Sequence, residues 1–201
     1  SADGGEITLS AGEARQNLDN TIVNTGRLQA QSIGVKNGQI TLNGGRGSIQ
    51  NTGDIYAKGD STTDGGRIQI NGAFVALGGD VSADGKRGGK VDINAGTLSL
   101  ADRISARGLA GEGGKISIDS GKTWETSTSF LNADGLTLGG AIRHMAGQQL
   151  ISSGYYTARS TNGMGGSIDV SAYSAKFLSA EIDASGATGG GTVRLGGEFQ
   201  G

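Results

Sequence analysis

The chain has no cysteine and no proline, and only 4% of its 201 residues are aromatic. Without cysteine there are no disulfides and no thiolate metal sites. That fits a cytosolic protein, and equally an exported one that crosses a membrane unfolded. The lack of proline and of a strict three-residue period excludes collagen despite the glycine content. So few bulky rings argue against a thick globular core, and the expected core is thin and elongated. Charge of one sign is also missing: the net charge is −2, so bulk electrostatics selects neither nucleic acid nor any other partner. No run of about 18 apolar residues occurs, and no segment is expected to span a membrane. P-loop, GxSxG and HExxH motifs are absent as well.

What the chain does have is glycine, 40 residues of it, about three times the usual share near 7%, arranged in a repeat. The stretch from Gly65 to Gly108 states one pattern twice. Each copy opens on Gly-Gly and a polar/apolar alternation, Arg67-Ile68-Gln69-Ile70 and then Lys90-Val91-Asp92-Ile93. Each closes on a second alternation that ends in Ala-x-Gly, at Ala83-Asp84-Gly85 and Ala106-Arg107-Gly108. Aligned on the first alternation, the chain gives eight starts at Gly5, Gly38, Gly66, Gly89, Gly114, Gly140, Gly166 and Gly191. Their spacings are 33, 28, 23, 25, 26, 26 and 25 residues. A fixed period built from strands too short to hide their own apolar side is the signature of a stacked architecture.

Period-2 alternation points the Ile, Val, Leu and Ala positions one way and the Lys, Gln, Asp and Ser positions the other. Helical i, i+3, i+4 spacing is absent, which excludes an α-solenoid. A looser apolar segment lies between the two alternations, as at Phe74 to Leu77 and Leu98 to Leu100. The pattern therefore predicts an all-β parallel β-helix of about eight rungs of roughly 25 residues, with three short strands per rung. At about 4.8 Å per rung the rod would be roughly 35–40 Å long. The whole of 1–201 reads as one segment: less regular over 1–65, regular over 66–120, irregular and aromatic-bearing over 121–165, and regular over 166–201.

Stacking residues one period apart predicts two ladders. The residue after each repeat Ala gives Lys58, Asp84, Arg107, Asp134 and Arg159, whose signs alternate, so a continuous structural charge ladder is expected. After the first strand come Asn43, Asn71, Asn94 and Asp119, expected to stack as a structural Asn/Asp ladder at a turn.

The stretch 121–165 departs from the pattern. It holds the single tryptophan, Trp124, the single histidine, His144, and Tyr155-Tyr156 where Ile or Val is expected. His144 occupies a position that is apolar in the other rungs. One reading is a core that widens locally. The sharper one is a surface patch of Trp124, Arg143, Tyr155, Tyr156 and Arg159 on which sugar rings stack.

Catalysis on a β-helix needs carboxylates, or a carboxylate with Arg or Lys, converging in a groove walled by long loops. Asp92, Asp119 and Asp169 do not share one surface row on adjacent rungs, and the turns are short. Calcium-binding nonapeptide repeats and a sustained Thr row of the ice-binding kind are also missing. No catalytic, metal-ligating or cofactor-binding residue is assigned.

With the repeats laid out, the chain resembles the large exoproteins of bacterial two-partner secretion, typified by filamentous haemagglutinin and related adhesins. The resemblance rests on the GG-x-[IV]-x-[IV] openings, on NTGRLQAQ (Asn24 to Gln31), on QNTGDIYAKG (Gln50 to Gly59) and on GGGTVRLGGEFQG (Gly189 to Gly201). It implies a right-handed β-helix, folding outside the cell or on its surface after export through an outer-membrane transporter barrel. It further implies an adhesin shaft with host-cell glycan or biofilm exopolysaccharide as possible ligand, and no nucleic acid. On this reading the chain is an internal piece of a longer rod with unpaired strand edges at both ends. The alternatives are a carbohydrate-active β-helix enzyme, a lyase or hydrolase, and the passenger shaft of an autotransporter.

Overall fold

The computed structural model describes Ala2 and residues 4–11, 21–34 and 36–196. All regular structure among these residues is strand, and no helix is long and apolar enough to cross a membrane. The first rungs hold β1 (Glu6–Ser10), β2 (Thr21–Asn24) and β3 (Arg27–Gln29), then β4 (Gln39–Asn43), β5 (Ser48–Asn51) and β6 (Asp54–Tyr56). From there each rung has one long strand and one short: β7 (Arg67–Leu77) and β8 (Val81–Ser82), β9 (Lys90–Leu100) and β10 (Arg103–Ser105), β11 (Lys115–Glu125) and β12 (Phe130–Asn132). The series closes with β13 (Ala141–Ser152) and β14 (Tyr155–Thr157), β15 (Ser167–Phe177) and β16 (Glu181–Asp183), and finally β17 (Thr192–Gly196).

All the strand pairs that stack these rungs are parallel, and two sheets wrap one core. One runs β1-β4-β7-β9-β11-β13-β15-β17, with β2 and β5 beside it, and the other runs β16-β14-β12-β10-β8-β6-β3. The chain is a parallel β-helix. The eight starts fall on the eight strands of the first path, and they bound about seven turns.

Three strands per rung holds only for the first two rungs. From β7 onward the first alternation and the looser apolar segment are one continuous bent strand. In β7, β9, β11 and β13 a glycine sits at the corner inside that strand, whereas β15 contains none. A Cβ on Gly121 would lie 2.5 Å from the Gly96 carbonyl oxygen, and one on Gly96 would lie 2.7 Å from that of Ala73. Pairing shifts register beside the corner, between Ser120 and Lys122 and again between Ala146 and Gln149.

The core is a set of aliphatic columns. Ile40, Ile68, Val91, Ile116, Ile142 and Ile168 stack in one, all buried. Hiding one such side chain contributes about 1.5–3 kcal/mol, which supplies the bulk of the drive to stack. The narrow corner is filled by Ala57, Ala83, Ala106, Ala133 and Ala158, each 0% exposed. The Ala carbonyl closes its rung by accepting from the second Gly of the next Gly-Gly: Gly114 N–H donates to Ala106 O at 2.7 Å and Gly140 N–H to Ala133 O at 2.8 Å. The first Gly of the pair passes against the following rung, and a Cβ on Gly113 would sit 2.0 Å from Ala133 O. Ala and Gly-Gly therefore recur together because one bond and one close approach need both.

Candidate functional site

The outer face carries ion pairs between neighbouring rungs. Eight arginines each reach an Asp one rung away, among them Arg67 to Asp92 at 2.9 Å, Arg87 to Asp64 at 2.6 Å and Arg143 to Asp119 at 2.8 Å. The expected continuous ladder resolves into separate pairs, Asp84 with Arg107 at 2.8 Å and Asp134 with Arg159 at 2.9 Å. Each Asp also accepts the backbone N–H of its partner, Arg107 and Arg159 both at 2.7 Å. That bond turns the carboxylate toward the following rung and away from the preceding one. Lys58 consequently leaves the series: its ammonium is 3.7 Å from Asp80 and 3.7 Å from the centroid of the Tyr56 ring. Burial, Asp80 and Asp54 push the Tyr56 phenol up to about 12.

Asn43, Asn71, Asn94 and Asp119 do stack in register. Their bonds go elsewhere than along the column: Asn43 accepts from Gly45 N–H at 3.1 Å and Asp119 from Arg143 at 2.8 Å. A true amide pair lies inside the rod, where Asn24 donates to Asn51 at 2.6 Å and Asn51 to Gly53 O at 2.7 Å. The repeated Asn-Thr-Gly at 24–26 and 51–53 was its signal in the sequence.

The aromatic patch does not assemble. Trp124 is 41% exposed on the second arm of β11, between Ser99 and Ile151. Tyr155 is 42% exposed on the other sheet, edge-on to Phe130 with centroids 6.3 Å apart. Arg143 and Arg159 are engaged by Asp119 and Asp134. Tyr156 is the clear correction, because it is 0% exposed and points into the core between Leu131 and Ile182. A phenol of that size fits the column only because polar partners await its hydroxyl.

Those partners form a buried cluster. Alternation along β11 puts Thr123 and Glu125 inward and Trp124 outward, in columns whose preceding rung offers Leu98 and Leu100. On the next rung of the same sheet β13 supplies His144 and Ser152, the latter in register with Glu125, and from the opposite sheet β14 supplies Tyr156. The hydroxyls of Ser152, at 2.5 Å, and of Tyr156 both donate to Glu125 Oε2. Nδ1 of His144 lies 3.2 Å from Glu125 Oε1, without the alignment of a hydrogen bond, and Nε2 lies 3.1 Å from Thr123 Oγ1. Burial alone would drive the Glu125 carboxyl upward. The adjoining imidazole and the two hydroxyls outweigh it and hold the group below its ordinary value. Burial and the Glu125 charge push the Tyr156 phenol well above its own.

Thr123, His144 and Glu125 thus stand in the order hydroxyl, imidazole, carboxylate, which elsewhere activates a nucleophile. Here Thr123 and His144 are 0% exposed and Glu125 is 5% exposed, so no substrate reaches the hydroxyl. The cluster acts on the fold. In the sequence only His144 and Tyr156 stood out. Thr123 and Glu125 were missed because their inward parity depends on the corner of β11 at Gly121, and Ser152 because its parity depends on the corner of β13 between Ala146 and Gln149.

A shallow open trough of about 520 Å³ runs beside the Gly-Gly pairs, edged by Lys115, Leu138, Ala141 and Ser167. Among the described residues no three His, Asp or Glu side chains converge as a metal ion requires. Comparison with protein-family models, with curated proteins and with solved structures finds no match.

Proposed function

We propose that the chain is the shaft of an extracellular or surface-bound bacterial adhesin of the two-partner secretion kind, a non-enzymatic spacer that contacts glycan or matrix polysaccharide through its outer face. An outer-membrane transporter barrel is its partner during export. The observation that carries this reading is the uninterrupted stack itself. A continuous, mainly aliphatic core and an outer face paired rung to rung suit a load-bearing spacer, while the open trough lacks the converging carboxylates that polysaccharide cleavage needs. Trp124, exposed on a flat sheet face, is the side chain best suited to stack on a sugar ring. Tyr155 is a second, separate platform.

The test is a glycan array and a polysaccharide pull-down with the parent chain, Trp124→Ala and Tyr155→Ala. Retention of acidic or neutral polysaccharide that Trp124→Ala weakens supports the adhesive reading. Equal retention by both variants removes the aromatic contacts from it. Release of reducing ends or unsaturated products from any polysaccharide would overturn the reading in favour of an enzyme.

A further inference from the structure

A rod of similar rungs has a folding problem that its aliphatic core cannot solve. Ile68, Val91, Ile116, Ile142 and Ile168 occupy equivalent places, and so do Val75, Leu98 and Leu150. A one-residue slip would turn every side chain to the wrong face. A slip of one whole rung would not, because with spacings of 25 and 26 residues the skipped rung simply loops out. Hydrophobic burial is non-directional and scarcely separates the two stacks. The surface Arg–Asp pairs separate them weakly, since exposed ion pairs are screened by solvent.

The buried cluster separates them strongly. Glu125 finds donors on one rung only, the one that carries His144, Ser152 and Tyr156. Were β11 to pair with β15, the register would set Glu125 against Phe177, with Val170 and Ile182 in the places of His144 and Tyr156. The carboxylate would then be buried without a donor. Were β9 to pair with β13 instead, Leu100 would face Ser152 and Ile93 would face His144, leaving the imidazole and the phenol without the carboxylate. Among the described residues no other ionisable side chain faces the cluster. The inward neighbours are Leu98, Leu100 and Ile118 on one side and Val170, Phe177 and Ile182 on the other, while Lys115, Asp119, Lys122, Arg143, Asp169, Lys176, Glu181 and Asp183 occupy outward positions.

We infer that Thr123, Glu125, His144, Ser152 and Tyr156 form a register key, which selects the rung Ala141–Thr157 as the one that closes on Lys115–Glu125. The buried Asn24–Asn51 pair, at 2.6 Å, joins two consecutive rungs near the other end in the same manner. A single buried polar contact is known to fix register in assemblies whose apolar seam is interchangeable.

The absence of cysteine allows a direct test. Lys115 pairs with Ala141, and Ala141 with Ser167. The pair Lys115→Cys with Ala141→Cys therefore reports the native stack. Lys115→Cys with Ser167→Cys reports the slipped one, since two strand spacings, about 9.6 Å, exceed the reach of a disulfide. Each pair is placed in the parent and in a variant carrying Glu125→Leu, His144→Ile and Tyr156→Leu. The chains are refolded from denaturant under reducing conditions, then oxidised, and the cross-links are counted by peptide mass. The expected result is that the slipped cross-link rises at least about tenfold in the aliphatic variant relative to the parent. An unchanged slipped fraction in a variant that refolds to β structure and still forms the native cross-link overturns the proposal. Should the triple variant not refold, His144→Ile alone is read with the same two pairs. There a rise in the slipped fraction supports the key and an unchanged fraction rejects it.

Discussion

The phenol of Tyr156 donates a hydrogen bond to the carboxylate of Glu125 across the interior of the rod, from the short-strand sheet to the long-strand sheet of the rung before. Leu131 precedes Tyr156 in its column, and Leu100 precedes Glu125 in its own. The contact ties two walls and two rungs at once, so its removal is felt by the stack as a whole.

Tyr156→Phe keeps the ring and deletes the donor, leaving the buried carboxylate with Ser152 as its only aligned partner. The expected loss is about 1–3 kcal/mol. Urea unfolding should show a lower midpoint with an unchanged slope; a midpoint equal to the parent's would mean that the hydroxyl contributes nothing.

The same pair sets a pH window. Glu125 is held below its ordinary 4.5 in the folded chain, so its contribution is complete above that value and is lost as pH falls through the lower folded one. Tyr156 is raised above its ordinary 10.0, so its contribution is complete below 10 and is lost as pH rises through the higher folded value. The melting temperature of the parent should fall at both ends. In Glu125→Gln the acid-side fall should be reduced, and an identical acid limb in both proteins would contradict the assignment.

Glycine at the Gly-Gly step is required by contact. Gly113→Ala puts a Cβ 2.0 Å from Ala133 O, whereas a Cβ on Gly26 meets nothing within 4 Å. Gly113→Ala should therefore cost about 1–3 kcal/mol or prevent folding, while Gly26→Ala stays within about 0.5 kcal/mol of the parent. Thermal unfolding of the two variants side by side decides it.

Asp84 is buried and accepts from both the Arg107 side chain and the Arg107 backbone N–H. Asp84→Ala leaves that N–H without its acceptor and should lose about 1–3 kcal/mol. Arg107→Ala removes only the more exposed partner and should lose less, by an amount that shrinks in high salt. Chemical denaturation at two ionic strengths separates them, and equal losses would show that the backbone bond is immaterial.

The sequence alone reveals which residues lie over which. Ile116 above Ile142, Asn71 above Asn94 and Asp84 beside Arg107 all follow from a period near 25 and from alternation, because parallel stacking repeats one local rule at each rung. It also marked His144 and Tyr156 as misfits in apolar columns. What those misfits are bonded to becomes visible only once the rungs have closed. Whether Glu125 or Trp124 faces inward depends on a corner turned within a continuous strand at Gly121. Whether Asp84 reaches forward to Arg107 or back toward Lys58 depends on one backbone N–H. Contacts between walls of the rod join residues whose separation in sequence carries no period, so they are settled by how the rung closes.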